Sequence, residues 1–215
     1  MCSIICSFSK SKLIELIELN QYRGNFSYSI SIFDNNDGVI YSYKDFGKFD
    51  FNQIPNKMPL QYYVAHVQSP TGGLVKEYNR IHPSYIPESD SYLWHNGIIK
   101  KNNIKTLQQK LSCDNEWDTA LLHEDLDIEE FKGLNDIDGS FGCIYVQNKT
   151  TTLYAFTSDI ITLFIDDEFN ISSVRFENSK RITPNIVYEA DIILRKLNQY
   201  SKFRTKSSPY YFVTQ

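Results

Sequence analysis

The chain has 215 residues, with 22 Lys and Arg against 26 Asp and Glu and a formal net charge of −4. Such a length suits one domain, residues 1–215, with material for a full core. The acidic balance argues against direct nucleic-acid binding, whose footprint is basic, and no apolar run reaches the about 18–20 residues of a membrane span.

In chain order, "CSIICSF" is β-branched and apolar enough for a buried strand. "SKSKLIELIELNQY" follows with a broad apolar face of Leu13, Ile14, Leu16, Ile17 and Leu19, which predicts a helix lying on a sheet. Its acidic punctuation is unlike a secretory leader. "FSYSISIFD" alternates, "NNDG" is a turn signal and "VIYSYK" reads as the returning strand of a hairpin. "PLQYYVAHVQS" is another strand, broken by "PTGG", and the long connection to Ser91 reads as an ordered surface loop. "YLWHNGII" predicts a strand that meets a turn at Asn96-Gly97. "NIKTLQQKLS" and "WDTALLHEDL" predict two helices, and "GSFGCIYVQNKTTTLYAFTSD" two strands with a short turn. "TLFIDD", "ISSVRF" and "IVYEADIIL" continue the β pattern. From about Arg195 the chain turns basic and polar, a loose end or an interaction strip. Many strands with interspersed helices and hairpin spacing predict an α+β fold with largely antiparallel sheets.

Cys2, Cys6, Cys113 and Cys143 show no CxxC pairing, which fits a reducing, cytoplasmic setting. Together with four scattered histidines they form no metal-ligand cluster, so neither metal nor cofactor is expected. The richness in Asn, Ile, Lys, Tyr and Ser fits an AT-rich coding genome such as that of a phage or a low-GC bacterium.

Cys2 stands directly behind the initiator methionine. Trimming of Met1 would leave a residue carrying both a thiol and an α-amine, and an amine titrating near pH ~7.7–8.0 can accept the thiol proton; the plain alternative is a small residue on a first strand. In "LWHNGII", Asn96 and Gly97 read either as a hairpin turn or as a side-chain amide and a backbone N–H aimed at a developing oxyanion. Asp118, opening a helix in "EWDTALL", reads either as an N-cap or as a carboxylate for an ammonium group. Arg23-Gly24 reads as a helix stop with a nearby cation, and Thr71 to Gly73 as a plain loop or a loop that holds a small polar ligand.

Taken in order, Cys2, Tyr22-Arg23-Gly24, Ala65-His66 through Thr71 to Gly73, His82-Pro83, His95-Asn96-Gly97, Asp118-Thr119 and Gly139-Ser140-Phe141 resemble the class II glutamine amidotransferases. The glutaminase domain of that family is an N-terminal-nucleophile hydrolase. The resemblance runs from Cys2 to about Asp191. It implies an αββα four-layer sandwich of two antiparallel sheets, with the sheet end at Cys2 meeting the loops at Thr71, Asn96 and Asp118. It implies Cys2 as nucleophile, with Asn96 and the Gly97 N–H as the oxyanion hole. Substrate is then expected at Arg23, His66, Gln68, Thr71, Gly73, His95 and Asp118, the last receiving the α-ammonium of L-glutamine. Ammonia would leave a γ-glutamyl thioester, which water hydrolyses.

The chain departs from the family at Gln68, where an arginine usually binds the substrate α-carboxylate. A neutral amide supplies no charge, so the bidentate ion pair is lost. Lys76 or Arg80 could supply the charge, or the substrate could be another linear amide. Nor is there room for the synthase domain that consumes ammonia, so the resemblance implies a separate partner subunit. A non-catalytic domain kept for binding or regulation is the remaining alternative.

Overall fold

The computed structural model describes residues 2–69 and 77–205. In chain order the strands are β1 (Ser3–Ser7), β2 (Ser27–Asp34), β3 (Gly38–Phe46), β4 (Tyr62–Gln68), β5 (Ser84–Ile86), β6 (Ser91–Ile99) and β7 (Gly139–Gln147). They continue with β8 (Thr152–Thr157), β9 (Phe164–Ile165), β10 (Ile171–Ser172), β11 (Lys180–Arg181), β12 (Ile186–Asp191) and β13 (Lys196–Lys202). The helices are α1 (Lys10–Asn20), α2 (Lys101–Leu111) and α3 (Asp118–Glu129).

The strands form two antiparallel sheets, ordered β11-β9-β10-β1-β4-β2-β3 and β13-β12-β8-β7-β6-β5. Strand alternation sorts the core into layers. Ile4 and Cys6 of β1, with Tyr62 and Val64 of β4, face Trp94, Ile144 and Val146 of the second sheet. Ile5, Tyr63, Ala65 and Val67 point the other way and pack under Leu13, Leu16 and Ile17 of α1. The far face of the second sheet, through Leu93, Cys143, Tyr145 and Phe156, packs under Leu121, Leu122 and Leu126 of α3 and Leu107 of α2. The result is helix, sheet, sheet, helix: the αββα sandwich expected.

Local chemistry accounts for the elements. Ser9 caps α1, its hydroxyl accepting from Lys12 N at 3.3 Å. The β2–β3 hairpin closes through Asn36 N donating to Asp34 Oδ1 at 2.9 Å, and Gly38 takes the positive φ of +73°.

The structure corrects four local expectations. Asn96-Gly97 is no turn: both lie inside β6, where their strand pairing to Gly142 and Phe141 of β7 continues. Gly97 is needed there because a Cβ would meet Ser140 O at 1.9 Å. Asp118 is no N-cap. Trp117 holds that position, and the Asp118 carboxylate instead accepts from Ile99 N at 3.2 Å. The connection to Ser91 is not all surface loop, since it contains β5 and buries His82. The basic tail is not loose over residues 196–202, which pair along β12 as the edge strand β13.

Candidate active site

Cys2 enters β1 at one end of the sandwich, partly buried. Its thiol donates to Ser69 O, just past β4, at 3.7 Å, and its carbonyl accepts from Arg23 Nε at 3.1 Å. Arg23 reaches it because the chain after α1 tightens into a short 3₁₀ turn, Gln21–Arg23. Gly24 then runs extended against β4, where a Cβ would lie 2.6 Å from the Gln68 backbone. Gly24 therefore does end the helical segment, its N–H donating to Gln21 O at 3.3 Å, but in an extended conformation that also permits the close approach to β4. Burial pushes the Cys2 thiol up to about 11; the Ser69 backbone and Arg23 pull it back and Asp118 pushes it further. Thus Arg23 and Asp118 both act electrostatically on Cys2.

Asn96 lies on the inner face of β6, 2 % exposed. Its side-chain nitrogen donates to Ser173 Oγ at 3.1 Å, and the same oxygen accepts from Ile4 N at 3.0 Å. Cys2 is thus in contact with Arg23 and in electrostatic reach of Asp118, 116 positions away, while Asn96 is tied through Ser173 to Ile4, two residues beyond Cys2. Thr71 and Gly73, like Lys76, lie outside the described residues.

Behind this group runs a buried polar network. His66 Nε2 faces the His95 carbonyl at 3.2 Å; a carbonyl only accepts, so that nitrogen carries the proton. Gln68 Nε2 donates to Arg80 O at 3.2 Å, leaving Gln68 Oε1 to accept from the Ser27 hydroxyl at 2.9 Å and from His82 Nδ1 at 3.3 Å. His82 is then unprotonated at Nε2, which accepts from the Thr119 hydroxyl at 3.0 Å. Thr119 in turn accepts from His95 Nδ1 at 3.0 Å. Burial pushes His66 down to about 3 and also lowers His82 and His95, so all three are neutral near pH 7. Gln68, His66 and His95 therefore bind other protein groups, and the Gln68 amide in particular is committed to Ser27, His82 and Arg80. His82, Thr119, Ser27 and Ser173 are members the sequence did not single out as site residues. Serines within strand-like runs such as "ISSV" carry no signal of their partners.

Among the described residues there is no group of His, Cys, Asp or Glu that could hold a metal ion, and no helix long and apolar enough to cross a membrane.

No protein-family model matches the sequence, and no curated protein matches it significantly. Solved structures do match by shape. One is the glutamine phosphoribosylpyrophosphate amidotransferase from B. subtilis complexed with ADP and GMP, at a TM-score of 0.69 and 15 % identity, over 93 % of this chain and 49 % of that one. Another is an allosteric regulatory enzyme of purine biosynthesis, at a TM-score of 0.63 and 13 % identity, over 93 % of this chain and 48 % of that one. The chain thus spans about half the length of the proteins it resembles. At such identities the likeness concerns the fold alone, the sandwich of two antiparallel sheets.

Proposed function

We propose that this chain is a glutaminase of class II amidotransferase type, in which mature Cys2 attacks the side-chain amide of L-glutamine and releases ammonia. The observation that carries the reading is the contact of Cys2 with Arg23 and its electrostatic interaction with Asp118, in a fold like that of a glutamine phosphoribosylpyrophosphate amidotransferase, with Asn96 held through Ser173 to the strand that follows Cys2. Loss of Met1 frees the Cys2 α-amine, which takes the thiol proton. A base so close matters because burial holds the thiol near 11, leaving almost no thiolate at neutral pH. Arg23, bonded to the Cys2 carbonyl, fixes the nucleophile's backbone.

The thiolate attacks the amide carbonyl, and the oxyanion is held by a side-chain N–H of Asn96 and the backbone N–H of Gly97. Each such donor is worth about 2.7–4 kcal/mol in comparable sites. Asp118 receives the substrate ammonium through the carboxylate oxygen not bonded to Ile99. Ammonia departs, and water hydrolyses the γ-glutamyl thioester to glutamate. A partner subunit carries the acceptor chemistry.

A second reading keeps the nucleophile and changes the substrate. Gln68 brings no charge, and its amide is already bonded within the protein. That favours a linear primary amide without an α-carboxylate.

The test is intact mass after incubation with a diazo-ketone analogue of glutamine, with Cys2→Ala as control. The glutaminase reading expects a species lacking Met1 and carrying one adduct, absent from the control. Retained Met1, or trimmed protein without adduct, overturns it. Release of ammonia from carboxylate-free amides by the trimmed protein would then establish the second reading.

A further inference from the structure

We propose that Ser173 is a positioning residue for the oxyanion donor; this rests on the reading of Asn96 given above. Ser173 follows the two-residue strand β10 and is 3 % exposed. Its hydroxyl oxygen accepts two bonds, from Ile4 N at 3.0 Å and from the Asn96 side-chain amide at 3.1 Å. A hydroxyl oxygen has two lone pairs, so both are in use. One oxygen thereby ties the donor on β6, in one sheet, to the strand of the other sheet that begins beside Cys2.

The anchor is itself held on both sides. Ser173 N donates back to Ile4 O at 3.0 Å, and Thr162 Oγ1 donates to Ser173 O at 3.4 Å. The serine therefore moves with β1, and so with the nucleophile.

The chemical consequence lies in the geometry of an amide. A carboxamide nitrogen carries two protons in one plane. Donating one to Ser173 fixes that plane and leaves the second proton at a set direction for the oxyanion. Without the hydroxyl, Asn96 can rotate about its side-chain bonds and exchange its oxygen and nitrogen ends. A carbonyl oxygen then faces the developing negative charge in part of the molecules. Oxyanion stabilisation depends on donors oriented before the reaction, so the loss falls on turnover rather than on substrate binding.

The test is a double-mutant cycle of Ser173→Ala with Asn96→Ala, read as glutamine turnover, alongside the side-chain amide resonances of Asn96 in ¹⁵N-asparagine-labelled protein. S173A alone should lower kcat by 10- to 50-fold and leave KM within about twofold, by the usual cost of disturbing an oxyanion donor. In the N96A background the same change should cost less than about twofold, because Ser173 then has no donor to orient. Ser173→Thr, which keeps the hydroxyl, should recover most of the turnover. The Asn96 amide proton pair should move towards solvent-like shifts in S173A and stay in place in the threonine variant. A merely structural serine would cost the same factor with and without Asn96, and that result overturns the proposal. So does an unchanged Asn96 resonance pair. Should the wild-type protein neither hydrolyse glutamine nor take the diazo-ketone adduct, the glutaminase reading fails on its own, and the resonances decide whether Ser173 orients Asn96.

Discussion

Cys6 lies within β1 and Cys2 four residues earlier, directly before that strand begins, yet their surroundings differ in kind. Around Cys6 stand Ile4, Tyr62, Val64 and Phe33, a dry layer between the sheets. Burial raises its thiol far above the ordinary cysteine value, with no group acting against it. Cys2 stands where the sheets open, among Arg23, Ser69 and Asp118, and keeps partial exposure. The environment of each thiol is decided by what its end of the strand meets. The thiol itself is common to both positions.

The sharpest way to break that comparison is to remove each sulfur in turn. Cys2→Ala should lower glutamine hydrolysis by roughly 10³-fold or more, with thermal unfolding little changed. Cys6→Ala should leave kcat within about twofold and cost about 1–2 kcal/mol in chemical denaturation, the range for trimming a buried side chain. Equal losses of activity in the two variants would erase the distinction.

Next in size is Asn96, the proposed oxyanion donor. Asn96→Ala should reduce kcat by about 10²- to 10³-fold with little change in KM, measured by ammonia release. An effect confined to KM would remove Asn96 from that role.

A third prediction separates the wet end from the dry centre by pH. His66 and, on α3, His123 are each pushed by burial from 6.5 to about 3. Their neutral folded forms add stability that is fully present above pH 6.5. Below it the unfolded chain takes up protons that the folded chain refuses, and stability is lost as pH falls towards 3. At pH 5.5 each histidine costs about 1.4 kcal/mol relative to neutral pH. Urea unfolding at pH 7.5 and 5.5 should therefore differ by about 3 kcal/mol from these two alone. His66→Gln should reduce the difference by about half.

The last prediction concerns the close approach behind Arg23. Gly24→Ala puts a Cβ 2.6 Å from the Gln68 backbone, and neither strand can yield by a side-chain rotation. About 1–3 kcal/mol of stability should be lost. Activity should fall with it, since Arg23 holds the Cys2 carbonyl; unchanged kinetics would separate the two.

Much of the architecture was legible in the chain. Period-two alternation marked β2, the turn signal after it marked β3 as the returning strand, and the breadth of the apolar face marked α1, because these follow directly from the local backbone. The order of short motifs from Cys2 to Phe141 pointed to the same sandwich. Reading failed where a residue's state depends on a distant strand. Asn-Gly is a turn by local preference. In β6 it is held straight by nine residues of pairing with β7, a contact 44 positions away. Asp118 caps a helix by local preference, and here it turns to Ile99 instead.

The sequence by itself determined most strands and helices and the place of Cys2 behind Met1, since these rest on side-chain type and spacing along one chain; the layered sandwich and the cast of candidate residues were implied by its resemblance to the class II glutamine amidotransferases. The tertiary structure alone decided the tautomers of His66, His82 and His95, the commitment of Gln68 to the protein interior, and the meeting of Ile4 and Asn96 on the Ser173 hydroxyl. Each of those is a hydrogen bond between groups from different strands or helices, and its strength depends on a few tenths of an ångström that only packing sets.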